Sequence, residues 1–108
     1  MSIHLHVTGT VRYGTLAIYR EAARRFVEYR RQKGYCVPRI LVGLSGGMNT
    51  TLMVFDYDSA ELWEREEAAV NLDAEYGRIA SEMPYLEGSI HYALFQAMEL
   101  APTNQVLV

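Results

Sequence analysis

A nine-residue stretch near the start of the chain alternates strictly between two kinds of side chain. Apolar residues and a glycine occupy the odd positions of 3–11, while His4, His6, Thr8 and Thr10 occupy the even ones. Successive side chains of a β-strand point to opposite faces of a sheet, so this period of two predicts a strand with one face buried in a core. The other face meets a more polar environment and carries two imidazoles, which makes it the first place to look for chemistry.

A helix is predicted next, over about 15–33. Its apolar residues recur three and four positions apart, which builds one buried face, and Gly34 suits the left-handed conformation that ends many helices. Much of the remaining helix surface is basic: Arg20, Arg24, Arg25, Arg30, Arg31 and Lys33. Such a run can bind an anion, but a solvated helix face is the better interpretation.

Two strands joined by a glycine-rich turn are predicted after the helix, at about 37–44 and 50–57. Pro38 lacks the N–H that a central strand needs, which favours an edge position for the first of these strands. The turn at 45–49 opens into a strand, whereas a phosphate-binding loop opens into a helix N-terminus. The turn is therefore interpreted as a hairpin connection.

The second half of the chain repeats the order of helix and then strand. Asp58 or Ser59 is expected to cap a helix, with Glu61 completing a capping box to Asp58. Asp73 is expected to restart this helix where its apolar stripe loses phase. A last strand at 89–98 is largely apolar on both alternating sets, which predicts cover on both faces. The element order predicts an α+β, ferredoxin-like βαββαβ sandwich with an antiparallel sheet, in which the first strand is central.

Size and charge limit the classes of function. A chain of 108 residues is one domain, assigned here to 1–100 with a tail at 101–108. The net charge of −3 provides no basic surface for nucleic acid or an anionic membrane, and no apolar run is long enough to cross a bilayer. Cys36 is the sole cysteine, which excludes an internal disulfide and fits a reducing compartment. The expected location is the cytoplasm.

The predicted sandwich leaves one face of its sheet open, since both helices cover the other. Large apolar and aromatic side chains from several strands lie on that open face, more than a soluble monomer usually exposes. A second copy packed sheet to sheet would cover them with the twofold symmetry common among homodimers. We therefore expect a homodimer, with the tail at 101–108 packed on the partner subunit.

Four local patterns accompany this order of elements. They are a strand that ends in an acidic residue and serine at 55–59, an aromatic-bearing helix at 62–64, an aspartate-initiated second half at 73–76 and a Gly-Ser strand start at 86–90. The whole resembles the dimeric α+β barrel superfamily, which includes antibiotic-biosynthesis-type monooxygenase domains and NIPSNAP-like proteins. Ala74 follows Asp73 where many relatives have proline, a departure that affects only the helix kink.

The resemblance covers nearly the whole chain, but its patterns are structural and name no catalytic residue. It implies a cavity between sheet and helices or between two sheets, without implying a reaction. The superfamily includes cofactor-independent oxygenases, haem-binding enzymes, lactone isomerases, polyketide cyclases and proteins of no known activity.

The candidate catalytic residues are three histidines. His4 and His6 point the same way from the first strand, roughly 6–7 Å apart, and His91 lies on a neighbouring strand whose register is not fixed by its sequence. An imidazole titrates near neutral pH, so one of them could deprotonate an acidic phenol or enol. Three hydroxyl-bearing residues are the candidate substrate contacts: Tyr57, Tyr92 and Thr8.

Three functions stay open. The first is a small homodimeric barrel that binds an apolar or aromatic molecule in a cavity lined by His4, His6, Tyr57 and His91, with cofactor-independent oxygenase, isomerase or cyclase chemistry and hence no cofactor. The second is a non-catalytic ligand-binding or interaction module in which the histidines line a semi-polar interface. The third is haem or metal binding through histidines and Asp56. No Ser-His-Asp spacing is recognisable, so a hydrolase is not predicted.

Overall fold

A computed structural model describes residues 1–100 and shows helices packed on one side of a four-stranded sheet. The elements are β1 (Ile3–Thr10), α1 (Leu16–Lys33), β2 (Arg39–Val42), β3 (Thr50–Tyr57), α2 (Ala60–Asn71), α3 (Ala74–Ala80) and β4 (His91–Gln96). The strand order is β2-β3-β1-β4, and every neighbouring pair is antiparallel. The predicted ferredoxin-like sandwich with a central first strand is confirmed. The predicted packing of the tail falls on 101–108, outside the described residues.

The alternation along β1 divides the sheet into two faces. Ile3 and Val7 are buried beneath the helices, and we call this side the inner face. His4 and His6 point to the opposite side, the outer face. Because directly paired residues on neighbouring strands share a face, the registers assign the remaining strand residues. The outer face thus carries His4, His6, Thr8, Leu52, Val54, Asp56, His91, Ala93, Phe95, Arg39 and Leu41.

The core lies between the inner face and the helices. The buried residues of α1 recur at helical spacing, which turns a single stripe toward the sheet. Ile79 of α3 and Met83 beyond its end complete the core cluster from the other helical segment. Within residues 1–100, no helix is both long enough and apolar enough to cross a bilayer.

The helix ends follow from local chemistry, with one correction. Gly34 adopts the left-handed conformation at the end of α1, and Asp73 accepts a hydrogen bond from the Tyr76 backbone N–H at the start of α3, both as predicted. At α2 the cap is Ser59, whose Oγ accepts from the Leu62 N–H at 3.2 Å. The capping box of Asp58 with Glu61 is wrong, because the helix begins one residue later than that pairing requires.

The last strand differs most from its prediction. A strand covered on both faces was expected from its apolar pattern, but all six residues of β4 are exposed. The strand lies at the edge of the sheet, where the helices leave it uncovered: Tyr92 of the inner face is 70% exposed and Phe95 of the outer face is 51% exposed. The apolar residues of β4 therefore form a surface that no other part of residues 1–100 covers. β2 forms the other edge, as Pro38 indicated.

Gly9 allows an aromatic ring to lie directly against the backbone of β1. A Cβ atom at this position would lie 2.6 Å from Cε1 of Tyr85. The Tyr85 hydroxyl is 2.9 Å from that of Tyr19, and the Thr51 hydroxyl donates to it at 3.5 Å. Because Gly9 has no side chain, Tyr85 joins α1, β1 and β3 at the base of the core.

Substitution Gly9→Ala should lower the free energy of unfolding by about 1–3 kcal/mol, the usual effect of adding a methyl group to a filled core. The matched control is Gly77→Ala in α3, where a new Cβ meets nothing within 4 Å. That change should raise the free energy of unfolding by roughly 0.5–1 kcal/mol, because alanine favours a helix over glycine. Urea denaturation measures both. Equal stability of Gly9→Ala and the parent would contradict the contact with Tyr85.

Candidate functional site

A cavity of about 770 Å³ lies between the inner face of the sheet and the helices α2 and α3. We call it the inner cavity. Its lining is mostly apolar and aromatic, and includes Val7, Phe26, Met53, Phe55, Met83 and Ile90. Such walls suit a small apolar molecule, since a ligand gains most of its affinity there by leaving water.

A polar cluster centred on Arg30 occupies one part of the cavity wall. Only 3% of this side chain is exposed. Its Nε donates to the Cys36 carbonyl at 2.6 Å, its Nη1 donates to the Tyr76 hydroxyl at 2.6 Å, and its Nη2 donates to the Tyr57 hydroxyl at 3.3 Å. The same Nη2 donates to the Glu66 carboxylate and forms an ion pair with it. A buried guanidinium needs such partners, because an unpaired charge in the interior is strongly unfavourable.

Glu66 is held from three sides. Besides the ion pair with Arg30, it accepts a hydrogen bond from the Tyr57 hydroxyl and one from the Cys36 backbone N–H at 2.7 Å. The Arg30 guanidinium also lies over the Phe55 ring, 4.7 Å from its centroid, an arrangement that favours a partly desolvated cation. Charge within the cluster is therefore balanced, and its two ions are fixed in place.

The two tyrosine hydroxyls of the cluster remain protonated at neutral pH. Burial, followed by the hydrogen bond to Glu66, raises the pKa of Tyr57 far above its ordinary value. Burial also raises the pKa of Tyr76, although Arg30 opposes this shift. Among the described residues, the Tyr76 hydroxyl accepts from Arg30 and donates to none. Its hydrogen is thus available to an acceptor atom inside the cavity.

Sequence reasoning placed Arg30 among the solvated basic residues of α1, and this interpretation is wrong. The sequence did carry a signal that Arg30 is buried. Arg30 lies four residues after Phe26 and so continues the buried stripe of Tyr19, Ala23 and Phe26. Glu66 of α2 likewise lies between the apolar positions Trp63 and Val70 of that helix, and its side chain is largely buried. When two helices each carry a charged residue at a position of their buried apolar face, and the charges are opposite, the pattern predicts a buried ion pair.

The sequence-predicted site residues divide between the two faces of the sheet. His4, His6, Thr8 and His91 lie on the outer face, whereas Tyr57 and Tyr92 lie on the inner face and line the inner cavity. The expected cavity lined by His4, His6, Tyr57 and His91 together is therefore corrected, because the sheet itself separates them. The catalytic and binding roles assigned to these residues stay predictions.

On the outer face, His4 is the histidine with polar partners. Its Nδ1 lies 2.6 Å from Oδ1 of Asp56, and its Nε2 lies 3.1 Å from Oγ of Ser2. The hydrogen bond from His4 lowers the pKa of Asp56 below its ordinary value, and Arg39, 3.6 Å from Oδ2, acts in the same direction. His6 instead packs its ring against Phe95, with 4.8 Å between centroids.

The donors for a metal ion are not gathered in one place. In the described part of the chain, no three histidine, cysteine, aspartate or glutamate side chains lie close enough to share an ion. Among the described residues that line the inner cavity there is also no histidine, so an axial haem ligand of that type is not supplied there.

Solved structures share this architecture over almost the whole chain. A NIPSNAP family protein from Agrobacterium tumefaciens superposes with a TM-score of 0.73 at 12% identity, over 94% of this chain and 98% of that one. An uncharacterized NIPSNAP domain protein from Burkholderia xenovorans gives a TM-score of 0.72 at 15% identity, over 94% and 99%. A protein described as an antibiotic biosynthesis monooxygenase gives 0.69 at 12% identity, over 90% and 99%.

The chain shares the fold of these NIPSNAP and antibiotic biosynthesis monooxygenase structures. The resemblance inferred from the element order and local patterns is thereby confirmed at the level of the fold. No protein-family model matches the sequence, and no curated protein matches it. At 12–15% identity, the α+β barrel proteins establish the architecture of this chain, while its chemistry must be argued from its own residues.

Substitution Arg30→Met should lower the free energy of unfolding by about 3–5 kcal/mol, because it leaves the Glu66 carboxylate buried without a cation. The neighbouring Arg31→Met is the matched control, since Arg31 pairs with Glu28 on the exposed side of the same helix and should change stability by no more than about 1 kcal/mol. Adding Glu66→Gln to Arg30→Met should restore part of the loss. Urea denaturation followed by circular dichroism measures all three, and equal effects of the two arginine substitutions would contradict a buried role for Arg30.

Proposed function

We propose that this chain forms a homodimeric barrel that binds a small, mostly apolar and uncharged molecule in the inner cavity. The observation that carries the proposal is a cavity of about 770 Å³ with apolar and aromatic walls and one charge-balanced polar cluster. Ligand pockets typically measure about 300–1,000 Å³ and combine such walls with a few fixed polar groups.

The balance of charge in the polar cluster supports an uncharged ligand. Arg30 is already paired with Glu66, and Glu67 and Asp73 add further carboxylates to the lining, so a carboxylate group entering the cavity would find no free cation among the described lining residues and would lose its hydration. The available hydrogen of Tyr76 instead suits a carbonyl or phenolic oxygen. A neutral aromatic ketone or phenol combines these properties.

A second candidate function is catalysis in the same cavity without a cofactor, as an oxygenase, isomerase or cyclase. It is favoured by the Tyr76 hydroxyl, which accepts from Arg30 and can donate to an oxyanion that develops on a bound enol or phenol. The histidines predicted as bases lie on the other face of the sheet, so the bases that this cavity offers are carboxylates, and Glu66 is the one next to the Tyr76–Arg30 pair. Its ion pair with Arg30 weakens it in that role.

Binding of a neutral aromatic ketone such as 2-acetylnaphthalene should be saturable and should depend on Tyr76. Replacing Tyr76 with Phe removes one hydrogen bond and should raise Kd by about 2- to 10-fold. Tyr13→Phe is the control, because Tyr13 lies outside the cavity and is 84% exposed. Isothermal titration calorimetry gives the affinities. Tighter binding of 2-naphthoate, the charged analogue, than of the ketone would contradict the proposed preference.

The proposal of a homodimer rests on the uncovered apolar residues of the outer face. Leu41 and Phe95 are about half exposed there in the single chain, next to the apolar residues Leu52 and Ala93 of the same face. Packing two outer faces together under a twofold axis would remove this surface from water and would give the edge strand β4 the second cover that its apolar pattern predicts.

Sedimentation velocity at micromolar concentration should therefore show a dimer, and Phe95→Glu should shift it to a monomer, because two carboxylates would face the interface without partners. The matched control is Ile18→Glu, an equally exposed apolar residue on α1, which lies on the other side of the sheet. It should leave the dimer intact. A parent protein that sediments as a monomer across this concentration range would remove the homodimer from the proposal.

A further inference from the structure

Three side chains of the outer face form a hydrogen-bonded chain that neither the fold nor the inner cavity requires. Ser2 Oγ lies 3.1 Å from His4 Nε2, and His4 Nδ1 lies 2.6 Å from Asp56 Oδ1. No Ser-His-Asp spacing was recognisable in the sequence, because Ser2 lies only two residues before His4 of β1 and Asp56 comes from β3. The register that pairs His4 with Asp56 brings them together. Such triads are defined by geometry and role and have no fixed order along a chain.

The contacts determine which nitrogen of His4 carries the proton. The pKa of Asp56 is held below its ordinary value by the hydrogen bond with His4, so this side chain is an ionised carboxylate at neutral pH and only accepts hydrogen bonds. His4 must then donate from Nδ1. In the neutral imidazole, Nε2 is left with a lone pair that accepts the hydroxyl hydrogen of Ser2, which is the arrangement of a general base beside its nucleophile.

We propose that Ser2 is a nucleophile, activated by His4 and oriented through Asp56, that reacts with activated esters. Ser2 Oγ forms a bond to the carbonyl carbon while its proton moves to Nε2 of His4. The bond to the leaving alkoxide or aryl oxide then breaks, and His4 returns the proton to that oxygen. A water molecule, deprotonated by His4, then bonds to the acyl carbon. The bond from that carbon to Ser2 Oγ breaks, His4 returns the proton to Oγ, and the carboxylic acid leaves.

The hydrogen-bonded residues Ser2, His4 and Asp56 lie where a substrate can reach them. Ser2 precedes Ile3, the first residue of the strand ladder, so the site lies at the end of the sheet and at the margin of the outer face. In the single chain, about a third of the His4 side chain and half of the Asp56 side chain are exposed. His4 is the cross-strand neighbour of Phe95, so in the proposed homodimer a substrate would enter from the end of the sheet. Arg39 is the other charged group in contact with Asp56, at 3.6 Å, and it stabilises the carboxylate form. The site is separated from the inner cavity by the sheet, so it constitutes a second, independent activity.

The test is covalent labelling of the full chain, with no residues added before Met1, by an alkyl fluorophosphonate. In that reaction the Ser2 oxygen bonds to phosphorus, fluoride leaves, and the proton passes to His4. Intact-mass spectrometry should show one adduct, and peptide mapping should place it on Ser2. Ser2→Ala should abolish it. His4→Gln should slow labelling by about 100-fold, and Asp56→Asn by about 10-fold or more, since an amide no longer holds the imidazole in the required form.

Ser45→Ala, in the exposed loop between β2 and β3, is the matched control and should label like the parent. Circular dichroism of each variant verifies that it is folded. Hydrolysis of 4-nitrophenyl acetate, followed by release of the aryl oxide, gives the second readout and should fall in the same order. No adduct, an adduct on another residue, or a Ser2 adduct that forms equally fast in His4→Gln would each overturn the proposal.

Discussion

The ion pair between Arg30 and Glu66 connects the layers of this protein. Arg30 comes from α1 and Glu66 from α2, while Tyr57 of β3 and Tyr76 of α3 complete their hydrogen bonds. A buried pair of charges contributes little net stability by itself, because desolvation offsets the attraction, but removing either partner is strongly destabilising. The pair therefore fixes how both helical segments sit on the sheet. The inner cavity exists because these segments are held there.

The sheet has two faces with different chemistry. Its inner side meets the helices and carries apolar walls around the paired Arg30 and Glu66, where we propose that a small ligand binds. Its outer side combines apolar residues with His4, His6 and His91, and it has no cover in the single chain. Alternate side chains of β1 point to opposite faces of the sheet, so this one strand contributes residues to both. The two proposed sites therefore use different residues of one small domain.

Particular residues show how far prediction from the sequence extended. The βαββαβ order, the central β1, the left-handed Gly34 and the cap at Asp73 all follow from local patterns, and the structure confirms them. Arg30 was misassigned because a charged residue in a basic run is usually solvated, and only its spacing from Phe26 indicated otherwise. The exposure of β4 was also missed, because an apolar strand reveals that it needs cover without revealing whether its own chain provides it.

The sequence by itself determined the secondary structure and the two-faced character of β1, since both depend on side-chain periodicity within a short segment. Tertiary structure alone decided which residues meet. Registers between strands distant in sequence placed Asp56 beside His4 and moved Tyr57 to the face opposite the histidines. Helix packing likewise buried Arg30 against Glu66. Contacts between distant segments depend on the relative placement of whole elements, and a shift of one residue in strand register reverses the face of every side chain.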